Sequence, residues 1–292
     1  MVGRMSKVQQ GNELLKRLMR NSLFVVGFAI VVVLVILAAL GSFIVVHDPL
    51  TPHPEKRLLP PTGLASGWRG HLLGADPLGR DVLTRLIIGS RYSLAIGISA
   101  VLGSLFIGTV VGMLAGFYGG VVDNVVMRIA DVQLSIPSTL LAIAVIALLG
   151  PNLVNLVIVL VITSWPTYAR LIRANVLVIK QAEFIASARL IGGSDTWIMT
   201  TQVLPNVLTP LLILATQQVG FQILMEAALS FLGLGVQPPT PSWGRMIADG
   251  RQYIASAPWV VLSPGLALMI TVLGFNFLGD GLRDVLDPKL RV

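Results

Sequence analysis

The sequence predicts an all-α, polytopic membrane protein of six transmembrane helices with a projecting polar loop between the fourth and fifth. Three observations carry that reading. Hydrophobic residues fill 54% of the 292 positions and charged residues only 12%, about half the ~25% charge of a typical soluble domain. Long stretches of the chain carry no ionised side chain at all. One polar segment, 170–200, is far longer than a simple connection between bundled helices requires.

An ionised group at the bilayer centre costs at least about 2.5–3.5 kcal/mol, so the distance between charges marks the spans. Uncharged stretches lie between Arg20 and Asp48, Arg91 and Asp123, Asp131 and Arg170, Asp195 and Glu226, and Arg251 and Asp280. Each can hold the roughly 20 residues needed to cross about 30 Å of hydrocarbon. The third stretch, 132–169, is long enough for two spans and is interrupted by Gly150-Pro151-Asn152, a turn signal foreign to the centre of a helix. Six spans result.

The apolar run from Ser22 to about Val46 follows basic residues, as a signal peptide would, with Ala38-Ala39-Leu40-Gly41 as a weak cleavage site. Its length exceeds the roughly 7–15 residues of a signal core, so it is read as an uncleaved span. The expected organisation is an N-terminal segment 1–21, a first span 22–46, an outward loop 47–91, a five-helix core 92–280 containing the loop 170–200, and a tail 281–292.

Basic loops stay on the cytoplasmic side. Six spans place both termini together, and that side receives thirteen basic residues: Arg4, Lys7, Lys16, Arg17, Arg20, Arg128, Arg170, Arg173, Lys180, Arg189, Arg283, Lys289 and Arg291. The other side receives eight: Lys56, Arg57, Arg69, Arg80, Arg85, Arg91, Arg245 and Arg251. Both ends are therefore expected in the cytoplasm. The net charge of +7 does not point to nucleic acid, because the basic residues are scattered between apolar runs and form no stripe along which a phosphate backbone could lie.

The outward loop begins proline-rich, with Pro49, Pro52, Pro54, Pro60 and Pro61, which favours extended backbone. Further on stand Asp76, Arg80, Asp81 and Arg85. Asp81 and Arg85 have the spacing of a pair on one helical turn leading into the second span. The plain reading is a solvated lead-in helix; the sharper one is a contact for an external partner. There is no cysteine, which removes disulfides, thiolate metal sites and cysteine nucleophiles. His47, His53 and His71 share this stretch without the i, i+4 spacing of a helical ligand pair, so they are read as solvated and no metal site is expected.

Within the loop 170–200, Gln181 to Ile191 is a run of good helix formers with Phe184, Ile185, Ala188 and Ile191 roughly on one face. Gly192-Gly193 supplies a left-handed stop, and Ser194 with Asp195 can cap a following helix. Small side chains at Ala182, Ala186, Ser187 and Ala188 let another surface approach the backbone, with Glu183 and Arg189 at the margin. Residues alone leave two possibilities open: docking on another protein, or lying flat on lipid. Inside the membrane, Glu226 is a carboxylate deep in an apolar run, flanked by Gln217, Gln218 and Gln222. Intramembrane acids mark function. A proton relay lacks partner groups at depth, so Glu226, Gln218 and Gln222 are read as a polar pathway or a subunit interface, near the outer end of the fifth span.

Three blocks of residues carry a family resemblance. Ala186-Ser-Ala-Arg-Leu-Ile-Gly192, followed after nine residues by Gln202-Val-Leu-Pro205, resembles the signature loop of permease subunits of binding-protein-dependent ABC importers. That pattern is Glu-Ala-Ala, three residues, Gly, nine residues, Ile, one residue, Leu-Pro. Ala188, Gly192, Leu204 and Pro205 match; Ala186 stands in place of the Glu, Ser187 of the first Ala and Gln202 of the Ile, with Glu183 nearby. His71-Leu-Leu-Gly-Ala-Asp-Pro-Leu-Gly-Arg-Asp-Val-Leu-Thr-Arg85 is the second block. Leu229-Ser-Phe-Leu-Gly-Leu-Gly-Val-Gln-Pro-Pro-Thr-Pro-Ser-Trp-Gly244, with Gly279-Asp-Gly-Leu-Arg-Asp-Val-Leu-Asp-Pro-Lys289, is the third. These are similar to the second, C-type permease of dipeptide, oligopeptide and nickel importers, over nearly the whole chain.

The resemblance implies a type I ABC importer permease fold in a bacterial or archaeal cytoplasmic (inner) membrane. It implies three kinds of partner besides lipid: a paralogous permease forming a heterodimer, two cytoplasmic ATPases, and a periplasmic or lipid-anchored solute-binding protein. The loop helix would be a coupling helix, with Glu183, Ala186, Ser187, Ala188, Arg189 and Gly192 at the ATPase and Asp195 at its edge. Di- or oligopeptides are the implied cargo, with nickel or other metal chelates, opines and glutathione as alternatives. No Gly-x-x-x-x-Gly-Lys-Ser/Thr phosphate loop occurs in the sequence, so ATP and Mg are expected on the ATPase partners and no cofactor or catalytic residue on this chain. A stand-alone secondary transporter would predict inverted repeats with interrupted helices, and the two halves show no such echo. An intramembrane enzyme would need a nucleophile-and-base pair or ligand spacing in the spans, and neither stands there.

Overall fold

The computed structural model describes residues 7–62 and 70–286. Arg4, Arg69, Lys289 and Arg291 of the charge balance lie outside the described residues. The chain forms α1 (Lys7–Arg20), α2 (Ser22–Ile44), α3 (Val82–Tyr118), α4 (Gly120–Ser135), α5 (Ser138–Leu149), α6 (Leu153–Ile179), α7 (Glu183–Leu190), α8 (Asp195–Ile198), α9 (Leu204–Phe231), α10 (Trp243–Gly250) and α11 (Trp259–Leu286). A π-helical turn, Met199–Val203, joins α8 to α9. Among the described residues the one β feature is an isolated bridge between Ala75 and Asp81.

Five helical segments are long and apolar enough to cross a membrane: α2, α3, α6, the continuous α8 to α9 segment and α11. The sixth passage is the pair α4 and α5, bent by 95°. Here the structure departs from charge spacing. The break at Gly150 is present, with φ +82°, but α5 alone has 12 residues and reaches about 18 Å, too short to cross. The bend falls at Ile136 and Pro137, because proline disfavours a helical conformation in the residue before it. Asp123, Arg128 and Asp131, which looked like boundary charges, lie along α4 itself. Two of them are neutralised from α6: Arg173 grips Asp123 through Nε and Nη2, and Arg170 pairs with Asp131. For the same reason α6 does not stop at Arg170 but runs on to Ile179, so the excursion 170–200 shrinks to the residues between Ile179 and Asp195.

Packing contacts order the passages. α3 and α6 run side by side in the same direction, with Gly103 against Val161, Gly112 against Ala169 and Gly116 against Val176. Gly108, Gly112 and Gly116 recur every fourth residue, so one flank of α3 carries no side chain. A Cβ on Gly112 would lie 2.4 Å from the Ala169 carbonyl oxygen. Small residues at this spacing are how membrane helices gain van der Waals contact when lipid is as apolar as leucine. Gly112→Val is expected to separate α3 from α6 at a cost of about 1–3 kcal/mol or more, read as a lower melting midpoint of the detergent-purified chain. α2 meets α11 in the same manner: a Cβ on Gly27 would stand 2.4 Å from the Leu278 amide nitrogen. Asn21, which caps α2 by accepting from the Phe24 N–H, donates to Asp284 near the end of α11. The start of α2, the end of α3, α7 and the end of α11 therefore share one end of the bundle. Residues 47–62 and 70–81 and α10 sit at the opposite end.

Candidate functional site

The projecting helix α7 is built for rigidity. Ala182, in extended conformation, precedes it, and Glu183 places an acid in its first turn, where the helix dipole favours negative charge. The C-terminus closes on both glycines: Gly192 N–H donates to the Arg189 carbonyl and Gly193 N–H to the Ala188 carbonyl, each at 3.0 Å, with Gly192 at φ +82°. That double bond around a left-handed residue satisfies carbonyls a helix end otherwise leaves open. Ser194 then caps α8 by accepting from Trp197 N–H.

Two side chains fasten α7 to the bundle. Ile185 is 1% exposed and Ala188 6%, both packed in the cluster that holds Phe117, Val176 and Ile198. The helix begins at Glu183 rather than Gln181, and the expected apolar face is corrected: Phe184 is exposed, and Ile191, beyond the last turn, is 80% exposed. Ala188 consequently faces inward and is withdrawn from the predicted contact set. Glu183, Ala186, Ser187, Arg189, Gly192 and Asp195 face outward. Arg189 does a second job, its guanidinium lying 5.5 Å from the Phe117 ring centroid, while Lys180 donates to the Phe117 carbonyl. The sequence reading missed the apolar rim around this end: Leu190 is 88% exposed, and Phe184, Ile191 and Trp197 are exposed with it.

Glu226, expected on a polar pathway or at a subunit interface, is fully buried within the chain. Its Oε1 accepts from Ser230 at 2.7 Å and Ser242 at 3.0 Å, and its Oε2 from Ser93 at 3.3 Å. The same hydroxyls reach further: Ser230 accepts from Val236 N–H, Ser242 caps α10 by accepting from Arg245 N–H, and Ser93 accepts from Trp243 N–H. One carboxylate thus ties α3, α9 and the segment 232–243 into a single hub. Gln222 is buried beside α6 and donates to Ser164, while Gln218 is half-buried. Gln217, not singled out on its own, donates to Asp280 at 2.9 Å and joins α9 to α11.

At the opposite end from α7, the lead-in segment is not solvated. Asp76, Arg80, Asp81 and Arg85 are all buried, Arg85 to 2%. The expected Asp81–Arg85 pair does not form, because Asp81 is committed as the cap of α3, accepting from Thr84 N–H at 2.7 Å, and to His71 Nδ1 at 3.0 Å. Arg80 pairs with Asp76 at 2.7 Å, and Arg85 reaches Asp76 at 3.4 Å, Asp249 at 3.9 Å and the Pro49 carbonyl at 3.2 Å. His71 is buried, also against expectation. His53 pairs with Glu55 at the surface and His47 is half-buried. Beside the network opens a cavity of about 560 Å³ rimmed by Arg57, Arg245, Arg251, Asp249 and Tyr253, which no local pattern in the sequence announced.

Residues 108–292 match the family model of binding-protein-dependent transport system inner membrane components. This chain belongs to that family. Residues 9–61 of the permease match the N-terminal transmembrane domain of oligopeptide transport permease C. The permease is 43% identical over 284 residues to the dipeptide transport system permease protein DppC of Alkalihalophilus pseudofirmus, covering 97% of this chain and 91% of that one. It is 42% identical over 279 residues to the glutathione transport system permease protein GsiD of Pectobacterium atrosepticum, covering 96% and 91%. In three dimensions it resembles the inward-facing MetNI methionine ABC transporter with a TM-score of 0.58 over 70% of this chain and 98% of that one, at 24% identity; that likeness speaks for the fold, the type I importer permease fold. The permease is a multi-pass transport subunit of the C type.

Proposed function

We propose that this permease forms a heterodimer with a paralogous permease, receives di- or oligopeptides from an external solute-binding protein, and is driven by two ATPases seated at α7. The observation that carries the proposal is the geometry of α7: a closed, stiff helix standing off one end of the bundle, anchored by Ile185 and Ala188, with Glu183, Ala186, Ser187 and an apolar rim turned outward. A lever of this kind transmits ATPase closure as a rigid-body movement of the spans. ATP and Mg reside on the ATPase partners. The end that carries α7, the start of α2 and the end of α11 also carries most of the basic residues, so it faces the cytoplasm. The Glu226 hub makes the outward segment 232–243 move with α9 as one piece.

The carrier reading and the importer reading separate in one experiment. The permease with its co-purifying subunits is reconstituted in vesicles and supplied with labelled dipeptide. Uptake is expected to require both ATP and the binding protein. Uptake driven by an ion gradient without ATP would contradict the proposal. The similarity to a glutathione permease supports a second cargo, and competition of dipeptide uptake by glutathione distinguishes the two.

A further inference from the structure

Away from α7 and the Glu226 hub, His47, His71 and Asp81 come together from three separate stretches of chain. One ligand atom from each lies within 4.8 Å of the others. His47 follows the end of α2, His71 precedes α3 and Asp81 caps it. The two imidazole rings are 4.9 Å apart, centroid to centroid, and His71 Nδ1 is 3.0 Å from Asp81 Oδ1. Asp81 and His71 are buried and His47 half-buried. Beside His47 and Asp81 is a void of about 10 Å³, lined also by Gly70, Thr84 and apolar side chains, close to the space one water or one small ion needs.

We infer that this cluster is a structural site for a divalent, borderline-soft transition ion, for which Zn²⁺ is the probe. Two imidazoles and a carboxylate are the donor set that suits zinc and does not suit Mg²⁺ or Ca²⁺, which prefer oxygen alone. Ligand atoms about 2.0–2.1 Å from a tetrahedral ion stand a little over 3 Å from one another, near the separation between His71 Nδ1 and Asp81 Oδ1. The outer shell is in place: Asp81 Oδ2 accepts from the Thr84 N–H at 2.7 Å, which fixes the carboxylate, and the ion takes the place of the proton shared between Oδ1 and His71 Nδ1. Three protein ligands leave a fourth position for water. Binding clamps the outer end of α2 to the start of α3, beside the point where Gly41 packs on Ile87. The inference stands independently of the cargo and of the ATPase seat.

The test uses the full chain with its co-purifying subunits, isolated without a histidine tag and stripped with chelator. Zinc is titrated back, bound metal is counted by mass spectrometry, and the melting midpoint is followed. Wild type is expected to bind one equivalent more zinc per permease than His47→Gln, and to gain thermal stability with zinc where the variant does not. His71→Gln should weaken binding at least about tenfold, whereas His53→Gln, outside the cluster, should match wild type. Equal zinc content and equal zinc-dependent stabilisation in wild type and His47→Gln would overturn the inference, as would binding lost in His53→Gln.

Discussion

Gly192→Val is expected to abolish ATP-driven uptake while the permease still inserts and accumulates. Gly192 holds φ +82° and is exposed, and an added Cβ would touch nothing within 4 Å. The substitution therefore leaves packing intact and acts on the backbone, where a left-handed conformation costs a β-branched residue roughly 1–2 kcal/mol or more. That strain falls on the two bonds closing α7, from Gly192 to Arg189 and from Gly193 to Ala188. Unwinding the last turn displaces Arg189 and Ala188, the latter one of the two anchors. Uptake should fall to background, with ATPase lost from the purified complex or its hydrolysis no longer coupled to transport. Gly233→Val supplies the comparison: Gly233 has φ +81° with nothing within 4 Å, but sits near the end of α9 far from α7. It should leave ATPase association unchanged. Normal uptake in Gly192→Val would remove α7 from the coupling path.

Glu226→Ala is expected to be the most destabilising single change in the half of the bundle away from α7. It removes the acceptor of three buried hydroxyls, Ser93, Ser230 and Ser242. Each orphaned buried donor costs about 1–3 kcal/mol, so the loss is of the order of several kcal/mol. Glu226→Gln keeps one acceptor oxygen and nearly the same volume, and should recover a large part of it. The readouts are the melting midpoint and the rate at which protease cuts the segment 232–243. Equal midpoints for Ala, Gln and wild type would show that the hub does not hold the segment 232–243.

Charge spacing read the long passages well because α2, α9 and α11 hide few ions, and an unpaired charge in lipid is costly enough to leave a clean signal. It misplaced the third passage because Asp123 and Asp131 are neutralised by Arg173 and Arg170 of α6. Pairing across helices lets charge lie along a segment that spacing treats as a boundary. Pro137, the local sign of the bend, was in plain view; so was the run of Gly108, Gly112 and Gly116 that brings α3 against α6. In the candidate site, Gly192-Gly193 was legible because only glycine readily accepts that backbone. The facing of Ala188 was not, since an eight-residue helix gives too few turns to fix its phase. Asp76, Arg80, Asp81 and Arg85 looked solvated because four charges in a row of loop usually are. Their burial depends on Asp249 and the Pro49 carbonyl, distant in the chain, which no local window contains.

The claim that α7 is the ATPase seat is open to a direct measurement. The chain has no cysteine, so Ser187→Cys on the exposed face of α7 gives a unique attachment point for a short thiol cross-linker. Ser256→Cys, exposed at the opposite end of the bundle before α11, gives its counterpart. In inverted membrane vesicles carrying the whole importer, Ser187→Cys should cross-link to an ATPase subunit, with a yield that changes on addition of ATP, and Ser256→Cys should not. Cross-linking of the ATPase from Ser256→Cys, or from neither position while the complex remains assembled, would contradict the account.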